Sequence, residues 1–422
     1  MANIRIEQSL RGQNRHWQEK FTPEFQPREI YPEIRSAMKE KRMLVITGLR
    51  RTGKSQIVKK LIADTVEKGA DPQKIVLFSF DDFSPADATV FDIIESAIAL
   101  TGLEPEFLFF DEVQKLGNWA EKIKLAYDTG KYKIVVTGSN SLWLGKKSRE
   151  SLAGRTIEFK VSLLTFSEFL EFTGNQKYGE KSRLFFPKLE NEIDKYFLTG
   201  GFPEVAGNAD GAAVGSYIKS VIEKITHIDA PKAYDIDNPA LLSDLYFLVA
   251  ESPGMLVDYS SIAQEKGATR QTVSRYFDCL EAAFLVRKVC NFSRNRSSMQ
   301  KRLKKYYPAI TSTSLSIATQ ENTKSRLVEC AVGNKINAEY FFLDQYKNEV
   351  DFVIQDAKGK TIPVEVKYGK NPSKAKRGLD AFESKFKFES ATIVTKDKRG
   401  TDKTKKGTEI SYKTAVEMLL GK

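Results

Sequence analysis

GLRRTGKS, residues 48–55, is the stretch that decides the fold. It follows a short apolar run, MLVIT at 43–47, and precedes a segment in which Ile57, Val58, Leu61 and Ile62 share one helical face. Strand, glycine-bearing loop and helix in that order predict a phosphate cradle. Gly48 and Gly53 free the backbone for a tight loop whose N–H groups turn inward, and the helix adds its positive amino end. Lys54 is expected at the β and γ phosphates and the Ser55 hydroxyl on magnesium. Arg51, Thr52 and Gln56 complete the expected nucleotide-binding set, with ATP and Mg2+ as ligands.

Outward from this loop, apolar runs at 75–80, 107–110 and 133–137 alternate with helical stretches near 91–101 and 118–128. Such alternation predicts βαβ crossovers, and so an α/β unit with a parallel sheet. LFFDEVQ, residues 108–114, ends an apolar strand in two acids. At the carboxyl end of a parallel strand Asp111 is placed to hold the metal and its waters, and Glu112 to orient or deprotonate the attacking water. VVTGSNS, 135–141, delivers a third strand end to the same crevice, with Thr137, Ser139 or Asn140 as the γ-phosphate sensor. Arg155, in LAGR, is the candidate for neutralising transition-state charge, in cis or from a neighbouring subunit. Arg50 and Arg51 are open alternatives for that role.

The second half reads differently. Residues 163–250 carry long helical apolar faces, punctuated by the turn GGFPE at 200–204. Residues 259–286 predict two short helices around Gly267, then a strand. A helix-turn-helix with a wing fits, with Arg270, Gln271, Ser274 and Arg275 on the exposed face of its second helix. Beyond 300, EYFFL, EVDFVI, IPVEVKY and SATIVT alternate as strands do. Glu365 and Lys367 then share one strand face, with Asp351 on a neighbouring strand and Glu329 on a helix. Two carboxylates and a lysine so arranged suit a second Mg2+ or a Mn2+ and phosphodiester cleavage. The spacing resembles the PD-(D/E)XK nuclease motif, although the proline before Asp351 is absent and Glu383-Ser384-Lys385, in a helical stretch, matches too.

At 422 residues the chain is expected to form two to four domains of roughly 100–200 residues each. Its start lacks an apolar leader and no run reaches the ~18 apolar residues of a membrane span, so a soluble, cytoplasmic protein with no membrane partner is expected. Cys279, Cys290 and Cys330 have no metal spacing and the chain has 2 His, which argues against zinc. The net charge of +11 is concentrated late: residues 287–305 hold eight basic and no acidic residues. Such clusters attract phosphate backbones, so DNA or RNA is a candidate partner, against the alternative of a solvated basic surface.

GLRRTGKS, FFDEVQKLGNW, VVTGSNS, LAGR, LLTFSEFL and YFLTGGFPEV, in this order, resemble the AAA-type ATPases of prokaryotes whose C-terminal half is a domain of unknown function. The resemblance covers nearly the whole chain, and Gln114, Trp119 and GGFPE add to its specificity. It implies an N-terminal segment (1–40), a P-loop AAA-type ATPase domain (41–170), a helical segment (171–235), a winged-helix-like domain (236–300) and a mixed α/β domain like restriction endonucleases (301–422). The expected function is an ATP-driven switch or motor whose C-terminal half engages nucleic acid. The rival is an ATP-regulated scaffold with an inert nuclease-like domain, acting as a homo-oligomer or on a protein partner.

Overall fold

The computed structural model describes residues 2–81, 89–139, 152–293, 304–315, 320–356, 359–369 and 375–422. Contacts divide the chain into two compact units, Met1–Ser162 and Leu163–Lys422.

The first unit is built on β1 (Met43–Gly48), β2 (Ile75–Ser79), β3 (Phe107–Asp111), β4 (Lys133–Gly138) and β5 (Thr156–Val161). All five are parallel, in the order β2-β3-β4-β1-β5. Alternate residues of β1 to β4 enter opposite cores, while β5, at the edge, contributes to one. Met43, Val45, Val76, Phe78, Leu108, Phe110, Ile134 and Val136 join one, packed with the helix Val90–Thr101. Leu44, Ile46, Ile75, Leu77, Phe109, Val135, Phe159 and Val161 join the other, with Ile57, Val58, Leu61 and Ile62 of α1 (Lys54–Glu67). Burial on both faces is why β1 to β4 read as near-continuous apolar runs, whereas β5 alternates.

The N-terminal segment closes the edge of that sheet. Asn14 grips β2 as a strand would, donating from Nδ2 to the Leu77 carbonyl at 2.8 Å and accepting the Leu77 N–H at 2.7 Å. Gln13 accepts the Ser79 N–H at 2.7 Å, and the Trp17 indole donates to the Ile75 carbonyl at 2.7 Å. Side-chain amides thus pair an edge that would otherwise expose a row of backbone groups.

In the second unit, β6 (Met255–Val257), β7 (Val286–Asn291), β8 (Lys304–Pro308), β9 (Tyr340–Leu343), β10 (Glu349–Gln355), β11 (Thr361–Lys367), β12 (Ser390–Thr395), β13 (Gly400–Lys403) and β14 (Glu409–Thr414) form one mixed sheet. Its order is β13-β14-β12-β11-β10-β9-β7-β8-β6. β6 precedes and β7 and β8 follow the two expected short helices, Tyr259–Glu265 and Arg270–Ala282, and the parallel pairing of β7 with β9 makes these strands continuous with the later ones. Helix α2 (Gln320–Lys335) lies against one face through Leu327, Val328 and Ala331, and the helix Ala375–Lys385 against the other through Leu379 and Phe382. No helix among the described residues is long and apolar enough to cross a membrane.

Candidate functional site

The phosphate loop runs from the end of β1 into α1. Gly48 is required for space: a Cβ there would lie 2.2 Å from the Val161 carbonyl oxygen at the end of β5. Gly53 is required for conformation, with φ +90° just before the helix starts. Thr52 Oγ1 donates to the Leu49 carbonyl at 2.9 Å and closes the turn. Arg51 also has a left-handed backbone, at φ 67°. Lys54 is buried and its ammonium donates to the Gly48 and Leu49 carbonyls at 3.2 and 3.1 Å. It is therefore folded back over the loop's own carbonyls. Gln56 lies in the first turn of α1, where its backbone N–H bonds the Gly53 carbonyl.

β3 and β4 deliver the acids and hydroxyls to the same edge. Ser55 Oγ donates to Asp111 Oδ2 at 2.7 Å, and Thr137 Oγ1 donates to Asp111 Oδ1. Burial pushes the Asp111 carboxyl above its usual range, and the neighbouring Glu112 charge acts in the same direction, while the two hydroxyls oppose it. Two oxygen donors touching each other at the loop are the hard ligands a magnesium ion takes, so the residues present fit that ion. Glu112 has a left-handed backbone, φ 53°, with its N–H on Thr137 Oγ1 at 3.1 Å. Its carboxylate is held by the Gln114 amide, which also donates to Ser139 Oγ at 3.2 Å. Gln114 thereby ties the proposed base to the end of β4.

Asp111, Glu112, Thr137, Ser139 and the loop residues therefore meet at one strand edge. Arg155 does not join them. It precedes β5, so in a parallel sheet it stands at the amino edge, opposite the loop, where its Nε pairs with Asp128 at 3.1 Å. A role in cis is thereby corrected. Asn140 lies outside the described residues. Arg28, which the sequence reading passed over, reaches the loop: its Nη1 donates to the Thr52 carbonyl at 2.7 Å and its Nη2 to the Ser162 carbonyl at 2.7 Å. Nothing in the irregular segment around it marks it out.

The second unit gathers the other expected set. Asp351 and Glu365 lie one residue beyond the β10–β11 ladder and stand in for its backbone bonds. Glu365 Oε2 accepts the Asp351 N–H at 3.0 Å, and Asp351 Oδ2 accepts the Val366 N–H at 2.8 Å. Lys367 pairs with Glu365 and stands 3.7 Å from Asp351. Glu329 approaches from α2 and accepts the Tyr307 hydroxyl at 2.8 Å. The unexpected member is Lys305 of β8, 5% exposed, whose ammonium pairs with Glu349 and stands 3.9 Å from Glu329. Burial, then the Asp351 charge, pushes Glu329 and Glu365 above the usual glutamate range. The surrounding acids outweigh burial and hold Lys305 and Lys367 above theirs. No group of three or more acids, histidines or cysteines able to hold a metal is found among the described residues, so the expected second ion is unsupported. The carboxylates are spent on backbone N–H groups and internal ammonium ions.

The described basic residues of 287–305 are half-buried or buried, none of them fully exposed. Arg287 donates to the Gly333 carbonyl, Lys288 pairs with Glu281 and Asp278, and Lys305 is buried. Residues 294–303 lie outside the described residues. On the helix Arg270–Ala282, Arg270, Gln271 and Arg275 are exposed and Ser274 half-buried, with Arg275 paired to Asp237 at 3.2 Å.

Residues 40–170 match a family described as an AAA domain, and residues 190–318 and 326–414 match two domains of unknown function. An uncharacterized protein of Haemophilus influenzae is 28% identical over 271 residues, which is 62% of this chain and 66% of that protein. Another, from Methanocaldococcus jannaschii, is 25% identical over 360 residues, 81% of this chain and 78% of its own length. Among solved structures, the Aeropyrum pernix ORC1 protein in complex with DNA overlaps at TM-score 0.32 and 12% identity, covering 75% of this chain and 96% of that one. AMPPCP-bound DnaA from Aquifex aeolicus gives 0.27 and 14%, covering 60% and 86%. Overlaps of that size establish neither fold nor function. The family match and the five-stranded parallel sheet support an AAA-type ATPase domain in residues 40–170.

Proposed function

We propose that the first unit binds and hydrolyses ATP with magnesium, and that the resulting switch acts through the second unit. The observation that carries the reading is the 2.7 Å contact of Ser55 with Asp111, beside Lys54 and below Thr137. Magnesium, when bound, would neutralise charge on the phosphates, and Ser55 and Asp111 would hold it. Lys54 would exchange two loop carbonyls for phosphate oxygens. Glu112 would orient and deprotonate water once Gln114 released it, and Thr137 would keep Asp111 in register. Calorimetric titration with Mg-ATP tests this: the wild type should bind, and Lys54→Ala should lose measurable affinity. Equal affinity in the two proteins would remove the loop from the account.

For the second unit we propose nucleic-acid engagement without cleavage. The order of helix, strand, two short helices and antiparallel strand pair between 239 and 308 supports a winged-helix-like region, and exposed Arg270, Gln271 and Arg275 are its candidate contacts. The nuclease-like set Glu329, Asp351, Glu365 and Lys367 is read as a relic, with Lys305 beside Glu329 and Lys367 on Glu365, which favours a binding module over an enzyme. A gel-shift series with single- and double-stranded DNA and RNA at rising salt should show binding that weakens with salt, and no cleavage with Mg2+ or Mn2+. Absence of binding at low salt would favour the scaffold reading instead.

A further inference from the structure

Arg28 sits in an irregular stretch before Tyr31, yet it is 6% exposed, and Phe21, Phe25 and Ile30 around it pack on the core beneath α1. Its two donated bonds have different addresses. The Thr52 carbonyl belongs to the phosphate loop. The Ser162 carbonyl belongs to the last residue of the first unit, bonded covalently to Leu163, where the second unit begins.

Peptide geometry gives the first bond a consequence. In a trans peptide C=O and N–H point in opposite directions within one plane, and no cis bond occurs among the described residues. Holding the Thr52 carbonyl toward Arg28 therefore aims the Gly53 N–H the other way, as a phosphate-binding donor requires. The start of the loop rests on the same neighbouring chain, because Gly48 packs against the Val161 carbonyl closely enough to exclude a Cβ. Both ends of the loop are thus referred to Val161 and Ser162, one by direct contact and one through a planar fork that reaches two acceptors at once.

We propose that Arg28 is a positioning residue: it orients the Gly53 N–H for a nucleotide phosphate and couples occupancy of the loop to Ser162, the chain's exit toward the second unit. The proposal rests on the ATP reading of the loop. A phosphate that accepts the Gly53 N–H pulls on the same rigid peptide plane and so on the Thr52 carbonyl, and the guanidinium it shares with Ser162 carries that pull to the exit.

The test uses the full chain. In Arg28→Met, ATP affinity by calorimetry should weaken about tenfold, the scale of losing one charged hydrogen bond. Arg28→Lys should fall between, since an ammonium can serve one carbonyl but lacks the fork. Hydrogen exchange with and without Mg-ATP should show the wild type responding at both 48–56 and 160–165, and Arg28→Met responding at the loop alone. A purely structural role would instead alter exchange equally with and without nucleotide. If wild-type protein is protected at the loop but unchanged at 160–165, the coupling is overturned while ATP binding stands. This wild-type comparison decides the matter even if Arg28→Met does not fold. No protection at the loop, with no heat of binding, defeats the ATP reading and the coupling with it.

Discussion

Replacing Lys305 by methionine isolates the charge that holds the acid cluster together. Methionine keeps most of the side-chain volume and the apolar stem, and loses the Nζ that stands 5.4 Å from the Phe341 ring centroid. What disappears is an ammonium among Glu349, Glu329 and the Tyr307 hydroxyl, the last at 3.5 Å. Removing one partner of a buried ion pair costs about 3–5 kcal/mol. Glu349 retains 38% side-chain exposure and can rehydrate, so the lower end, about 3 kcal/mol, is expected. For a unit the size of Leu163–Lys422, that lowers its melting temperature by about 6–12 °C. The assay is selective. All three tryptophans, Trp17, Trp119 and Trp143, precede Leu163, so tryptophan fluorescence follows the first unit while calorimetry follows both. The fluorescence transition should hold and the other should fall, and adding Glu329→Gln should recover part of the loss by removing an unpaired acid. An unchanged or raised second transition in Lys305→Met would refute the ion-cluster reasoning.

Glu112→Gln should retain ATP affinity and lose turnover by about 10²–10⁴-fold, because an amide still accepts a hydrogen bond but takes no proton; steady-state phosphate release at the wild-type rate would place the base elsewhere. Stability of the second unit should fall as pH rises above the ordinary glutamate value of 4.5 toward neutrality. Folded Glu329 and Glu365 keep protons that the unfolded chain has released, so deprotonation favours unfolding. Lys305 and Lys367, held above their ordinary 10.5, lose their contribution only in alkali. Urea midpoints of the second unit at pH 5 and pH 8 check this, and a higher midpoint at pH 8 would contradict it.

What could be read in the chain was mostly local. GLRRTGKS carries its own geometry, because two glycines, a lysine and a serine at fixed spacing define strand, loop and helix without distant help. The first four strands of the first unit were legible because burial on both faces makes them near-continuous apolar runs. Glu365 and Lys367 were placed on one face by strand period alone. Tertiary structure decided the remainder. Lys305 stands 46 positions before Asp351 in a run that reads as a basic surface, and only the pairing of β7 with both β8 and β9 brings β8 beside α2 and turns a solvent cation into a buried one. The cis role of Arg155 was not decidable from sequence order, which does not say which edge of a sheet a residue reaches; the parallel direction of β5 does. Arg28 had no motif at all, since what it recognises is two backbone carbonyls, and a carbonyl has no letter in the sequence. Residue type and spacing determine chemistry that is local along the chain, while partners that are backbone atoms or distant strands exist only once the sheet has formed.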